Sequence, residues 1–162
     1  TEGAIQMSIH FHALPTDQVR VLQRGGLDAN GQPAERSISD GGGNPCRHCL
    51  KDIPQGIPML ILALRPFNKL QPYAECGPIF LCAEECERHA ETRSQPEYLS
   101  SREQVLLKGY TIQEWIKYGT GQLVSPDQIR AVSEHILKNP DVAFVDIRSA
   151  TNNCFQARIH RA

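Results

Sequence analysis

The sequence predicts an α+β fold, with a single domain built on a largely antiparallel sheet, two short helices and a long glycine-rich loop. Strand-like segments outnumber helix-like ones and mostly follow one another without an intervening helix, which favours antiparallel pairing. The 162 residues are enough for one domain with a real hydrophobic core. We assign the domain to residues 7–162 because Met7 precedes a strand-like segment. That start would leave residues 1–6 as an expression remnant.

The first third of the chain predicts one strand, one helix and a long loop. Residues 8–14 alternate between apolar and polar positions, which is typical of an edge-accessible strand. Residues 15–24 predict a short helix that Pro15 or Thr16 opens. Residues 27–45 are polar and broken by glycine and proline, which predicts a long loop.

The middle of the chain predicts a buried strand followed by a second one. The apolar run at residues 57–64 lacks polar alternation, so it predicts a central strand buried on both faces. Residues 68–77 predict a loop that carries Tyr73. Residues 78–81 predict the next strand, and residues 82–88 predict one or two helical turns.

The last third predicts a strand, two hairpins and one helix. These are the strand 103–110, the hairpin of 113–118 with 122–124, and the hairpin of 142–148 with 154–160. Ser125, Pro126 and Gln128 form the pattern of a capping box, with proline at the first helical position. This pattern predicts a helix that starts at Ser125 and ends near residue 139.

Composition and charge limit the partners and the location. A hydrophobic fraction of 40% and a charged fraction of 22% are ordinary for a soluble globular chain. A formal net charge of −1 argues against nucleic acid and against an anionic membrane as partner. The longest apolar run is far shorter than the ~20 residues of a membrane helix. We therefore expect a cytoplasmic protein with reduced thiols, whose oligomeric state the sequence leaves open.

Four cysteines have the spacing of a zinc site. Cys46 and Cys49 form one short-spaced pair, and Cys82 and Cys86 form another, with His89 as a substitute ligand. Zinc takes four such ligands in a tetrahedron, commonly supplied as two pairs. The alternative is that these cysteines simply bury as small apolar residues, and no glycine-containing knuckle surrounds either pair.

Two further chemistries remain open, so the sequence does not decide whether the protein is an enzyme. Cys46 and Cys49 would also suit a thiol redox protein, because the residues between them, Arg47 and His48, favour a thiolate. Arg47 and Arg148 would suit a small anionic ligand, with Tyr73 or Cys46 at the rim of the pocket. The alternative for both arginines is a surface position with nearby carboxylates as partners.

Several motifs run in order through the chain and carry a family resemblance. They are residues 45–50, residues 72–73, residues 77–80, Cys86 and the C-terminal segment 154–162. Together they resemble the bacterial family called domain of unknown function 1203. The resemblance implies an uncharacterised protein with no established activity. In the family's pattern position 82 is often histidine, an exchange that a zinc ligand tolerates.

Overall fold

The computed structural model describes residues 8–162 and contains eight strands and two α-helices among them. The strands are β1 (Ile9–His12), β2 (Glu35–Ile38), β3 (Pro58–Leu64), β4 (Gly77–Cys82), β5 (Val105–Tyr110), β6 (Gln122–Val124), β7 (Phe144–Ser149) and β8 (Phe155–Arg161). The helices are α1 (Thr16–Gln23) and α2 (Ile129–Leu137). The predicted α+β class is confirmed. The prediction that the natural chain starts at Met7 lies outside the described residues.

The strands form two antiparallel sheets. The large sheet has the order β1-β8-β7-β5-β6, and the small sheet has the order β2-β3-β4. One face of the large sheet buries Leu107, Val145 and Ile147 against α2, because alternate strand residues point to the same side. Within residues 8–162, no helix has the length and apolar content needed to cross a membrane.

The small sheet places β3 in its centre, as the sequence predicts, but covers only one of its faces well. Leu60, Leu62 and Leu64 are buried in a second hydrophobic cluster. On the other face Met59 is buried, but Ile61 and Ala63 stay half-buried because they border an open groove beside residues 28–35. The expectation of a strand buried on both faces is therefore wrong, and Ile57 is exposed and precedes the strand.

Replacing Leu62 with alanine is expected to lower the free energy of unfolding by about 2–5 kcal/mol, the usual loss for a buried leucine. Leu62 is only 4% exposed, so its deletion leaves a cavity in the small-sheet core. Urea unfolding measures the change, with Ile61→Ala on the half-buried face as the matched control. Equal losses in the two variants would contradict this assignment of the faces.

Three local predictions are wrong. The 27–45 loop contains the short strand β2, and residues 83–90 contain no helix. Residues 113–118 form a turn instead of a strand, because the buried Glu114 accepts hydrogen bonds from the backbone of Asn68 and Lys69.

The start of the second helix also differs from its prediction. The Ser125 hydroxyl donates to Asp127 Oδ1, so it does not cap the helix backbone. The three residues after Ser125 form a 3-10 turn, and α2 begins only at Ile129.

Candidate metal centre

A tight turn between the sheets presents the first cysteine pair. The Leu50 amide donates to the Cys46 carbonyl at 2.9 Å, and the Cys46 amide donates to the Lys51 carbonyl at 3.0 Å. The Arg47 amide donates to the Phe80 carbonyl at 3.1 Å, which fixes the turn to β4. The turn therefore holds Cys46 and Cys49 next to the end of the strand that carries the second pair.

Leu50 gives this turn its shape. Its φ of 53° lies in the left-handed region, which glycine normally occupies because it has no Cβ. The side chain is only 2% exposed and packs into the core of the large sheet. Leucine thus occupies the position that glycine takes in a zinc knuckle. This explains why the sequence shows no glycine-containing knuckle although the turn forms.

The second cysteine pair lies on a strand end and the irregular segment after it. Cys82 is the last residue of β4, and Cys86 follows without any helical turn between them. Side chains of α1 hold this segment, since Gln23 Nε2 donates to the Cys82 carbonyl and Arg20 Nη2 donates to the Cys86 carbonyl. The predicted convergence of this pair holds, although not through spacing on one helical face.

The four sulfur atoms converge at one point. All ligand atoms of this group lie within 4.8 Å of one another. The Sγ atoms of Cys46 and Cys86 are 3.8 Å apart, and those of Cys49 and Cys82 are 4.0 Å apart. A tetrahedron of thiolates around zinc has edges of about 3.8 Å, given Zn–S bonds of about 2.3 Å. The sulfur spacing therefore fits a tetrahedral metal ion.

Hydrogen-bond donors surround the sulfur atoms. The Cys82 amide donates to Cys46 Sγ at 3.3 Å. His48 Nδ1 lies 3.1 Å from Cys86 Sγ, while its Nε2 lies 2.8 Å from the Thr16 hydroxyl. If the hydroxyl donates to Nε2, Nδ1–H donates to the sulfur, as outer-shell partners of metal ligands commonly do. Burial lowers the pKa of His48, which favours this neutral ring.

The close packing of the thiols couples their titration. Hydrogen bonds from Cys49 and the other cysteines lower the pKa of Cys46. Hydrogen bonding with Cys46 raises the pKa values of Cys82 and Cys86, because a thiol that donates to a neighbouring sulfur keeps its proton. Repulsion between adjacent thiolates acts in the same direction. A divalent cation would resolve this conflict, since it stabilises all four groups as thiolates.

The proposed substitute ligand stays outside the cluster. The four-residue group contains only cysteines, and the His89 amide instead donates to the His48 carbonyl at 2.8 Å. Within residues 8–162, His89 Nε2 is buried without a hydrogen-bond partner. His89 therefore lies beside the turn and contributes no atom to the sulfur cluster.

The structure separates the three residues predicted to bind an anion. Arg47 borders a cavity of about 460 Å³, and Arg148 borders another of about 200 Å³. Both arginines are buried, which rules out the expectation that they are surface charges. Glu75 nevertheless lies 3.7 Å from Arg148, as that alternative expected. Tyr73 lines neither cavity and packs on Trp115.

Sequence reasoning missed the residues that support the sulfur cluster. Thr16, Arg20 and Gln23 come from α1, more than thirty residues before the groups they contact. The sequence indicates His48 only as a residue that favours a thiolate, and its contact with Cys86 spans 38 positions. No local spacing rule indicates such distant contacts, so these roles required the fold.

Comparisons with known proteins give one match. A protein family matches residues 43–161, which include the four clustered cysteines and both buried arginines. No curated protein and no solved structure matches the chain. The match covers well over half of the sequence and confirms the resemblance that the motifs indicate. The chain therefore belongs to the family described as Protein of unknown function (DUF1203).

Proposed function

We propose that this protein is a non-catalytic binding module stabilised by a structural zinc ion. The observation that carries the proposal is the convergence of four sulfur atoms, with pair separations of 3.8 Å and 4.0 Å. The ligands would be Cys46, Cys49, Cys82 and Cys86. Four protein ligands fill a tetrahedral site, which is typical of structural zinc and leaves no open position for a substrate.

The position of the cluster supports a structural role. It lies where the turn after residue 44 meets the end of β4 and the segment that follows, so one ion would join these two parts of the chain. Side chains of α1 contact the second part through Arg20 and Gln23. An iron centre is the alternative occupant of four thiolates, and metal analysis separates it from zinc.

Thiol redox chemistry receives less support from the geometry. Cys46 is fully buried, with 0% exposure, whereas reactive cysteines are partly accessible to their substrates. The same burial argues against an enzyme that uses Cys46 as its nucleophile. A disulfide between Cys46 and Cys49 would also leave Cys82 and Cys86 without the partners that the cluster provides.

We further propose a bacterial cytoplasmic setting, on the basis of the family resemblance and the cysteine chemistry. All six cysteines are free, including the exposed Cys76. A reducing compartment keeps such thiols available for a metal ion.

Elemental analysis tests the metal. Protein purified without a metal-affinity column is expected to contain about one zinc ion per chain. Cys49→Ser is expected to lose the zinc, because it removes one of four ligands. Cys154→Ser is the matched control, since Cys154 is also half-buried but lies outside the cluster. Metal-free wild-type protein with undiminished stability would contradict the proposal. Bound iron would show that the centre holds iron instead of zinc.

A further inference from the structure

Arg47 is a buried cation without a carboxylate partner. Its side chain is 2% exposed, and no carboxylate in residues 8–162 forms an ion pair with it. Nε donates to the Phe155 carbonyl at 2.7 Å, and Nη1 donates to the Pro45 carbonyl at 2.6 Å. The Phe80 ring lies 5.5 Å from Cζ. These neutral partners orient the guanidinium but do not balance its charge.

A buried charge without a counter-ion is costly, so such groups are normally paired or bind a charged ligand. Arg47 keeps its charge although it is buried, because an arginine side chain stays protonated in proteins. The guanidinium carries five N–H donors, and the two hydrogen bonds to carbonyls use two of them. Arg47 therefore retains both charge and donors for an anion.

The cavity that Arg47 borders has the size and lining of a small-molecule site. Its volume of about 460 Å³ lies within the usual range for ligand pockets. Neutral polar side chains line it, among them Gln104, Thr151 and Asn152. Arg102 adds a second guanidinium, although Asp52 pairs with it at 2.7 Å. Glu103 is the one carboxylate among the lining residues and is exposed.

The neighbouring cavity is a weaker candidate. Arg148 already lies 3.7 Å from Glu75 and donates to the Asn153 carbonyl at 3.1 Å. Its Nε and Nη2 are buried without hydrogen-bond partners in residues 8–162, but Glu75 already supplies a counter-charge beside Nη2. Its volume of about 200 Å³ is also less than half that of the Arg47 cavity.

We propose that the cavity between residues 43–45, residues 99–105 and the turn joining β7 and β8 binds a small carboxylate or phosphate anion that pairs with Arg47. The anion supplies the counter-charge that the described residues do not. Arginine suits this role because its planar group donates two parallel hydrogen bonds to carboxylate or phosphate. Arg47 lies between Cys46 and Cys49, so the turn that presents the thiols also orients the anion-binding group.

One competing explanation uses the same residue. A divalent ion held by four thiolates carries a net negative charge, and Arg47 could balance that charge without any ligand. The two explanations predict different anion binding in the cavity. Under the proposal an anion binds in the cavity, and filling the cavity without touching Arg47 weakens that binding. If Arg47 only balances the metal centre, no anion binds in the cavity at all.

The test is calorimetric titration of the zinc-loaded protein with inorganic phosphate, glycerol phosphate and succinate in chloride-matched buffer. At least one probe is expected to bind saturably at a single site, and the successful probe separates phosphate from carboxylate chemistry. Arg47→Gln and Thr151→Trp are each expected to weaken binding by at least about tenfold. Thr151 is exposed at the rim, so tryptophan there fills the cavity and leaves the core intact.

Three control variants make the result decisive. Thr151→Ser keeps the cavity open and should bind as the wild type does. Arg93→Gln removes an exposed arginine outside the cavity lining, and Arg148→Gln removes the arginine of the neighbouring cavity. Both should retain binding. Zinc content is measured on every variant, so if Arg47→Gln loses the metal or its fold, Thr151→Trp alone decides the question.

Several results would overturn the proposal. No saturable binding of any of the three anions would do so, and would assign Arg47 to charge balance at the metal centre. Binding that survives Thr151→Trp would place the ligand elsewhere. Binding lost in Arg148→Gln but retained in Arg47→Gln would move the site to the smaller cavity.

Discussion

Cys82→Ser is expected to lower the free energy of unfolding by about 4 kcal/mol or more, a size that loss of a metal site accounts for. Cys82 ends β4, and its Sγ lies 4.0 Å from Cys49 Sγ. Serine is a poor ligand for zinc, which binds sulfur and imidazole preferentially. Chelation of the wild-type protein should have a similar effect, because metal-binding free energy adds directly to folding free energy.

The loss should be confined to one part of the fold. The cluster belongs to the small-sheet core, whereas the large sheet packs its own core against α2. Hydrogen exchange of the chelated protein is therefore expected to show faster exchange in α1 and around Leu50, with β7 and β8 still protected.

Cys76→Ser provides the matched control for Cys82→Ser. Cys76 is exposed and lies immediately before β4, at the opposite end of the same strand. Cys76→Ser makes the same chemical change outside the sulfur cluster, so the stability and zinc content of this variant should match the wild type. Equal losses in Cys76→Ser and Cys82→Ser would show that the metal centre contributes nothing to stability.

Asp146→Ala is expected to cost about 3–5 kcal/mol, the usual loss when one partner of a buried ion pair is removed. Asp146 has 0% side-chain exposure and accepts from Arg158 Nε at 2.7 Å and from Arg158 Nη2 at 3.1 Å. The guanidinium also lies over the Phe144 ring at 3.9 Å. Alanine would leave Arg158 charged and largely buried without its counter-ion.

The exposed pair of Lys117 and Asp141 supplies the control for Asp146→Ala. Its separation of 3.3 Å is also that of an ion pair, but the Asp141 side chain is 68% exposed. Asp141→Ala should therefore cost no more than about 1 kcal/mol, as surface pairs do. Chemical denaturation of both variants measures the difference. Similar small losses in the two would mean that Arg158 finds another partner or water.

Sequence patterns predicted the elements whose signal lies within a short window of residues. The alternation in β1, and the two apolar segments that pair as β7 and β8, gave strands close to the observed bounds. The segment at residues 113–118 has a similar composition but forms a turn, because Glu114 binds the backbone of the loop at residues 68–69. Glu114 and Asn68 are 46 positions apart, so a short stretch of sequence cannot predict this contact.

The candidate metal centre shows the same division. The spacing of Cys46 and Cys49 was sufficient to predict a turn that brings both thiols together. The spacing of Cys82 and Cys86 predicted convergence for an incorrect reason, since α1 positions this segment and no helix forms there. Arg47 and Arg148 looked alike in the sequence. Only the fold shows that Glu75 accompanies Arg148 and that Arg47 has no such carboxylate.

The pairing of β1 with β8 has a consequence for the order of folding. Phe11 pairs with Ile159, so β1 cannot form its strand pairing until residue 159 has been synthesised. Contacts of such large sequence separation slow folding, because closing so long a loop costs conformational entropy before the contact stabilises the fold. During synthesis β1 therefore emerges with Ile9 and Phe11 uncovered, and the large sheet closes last, when β8 leaves the ribosome.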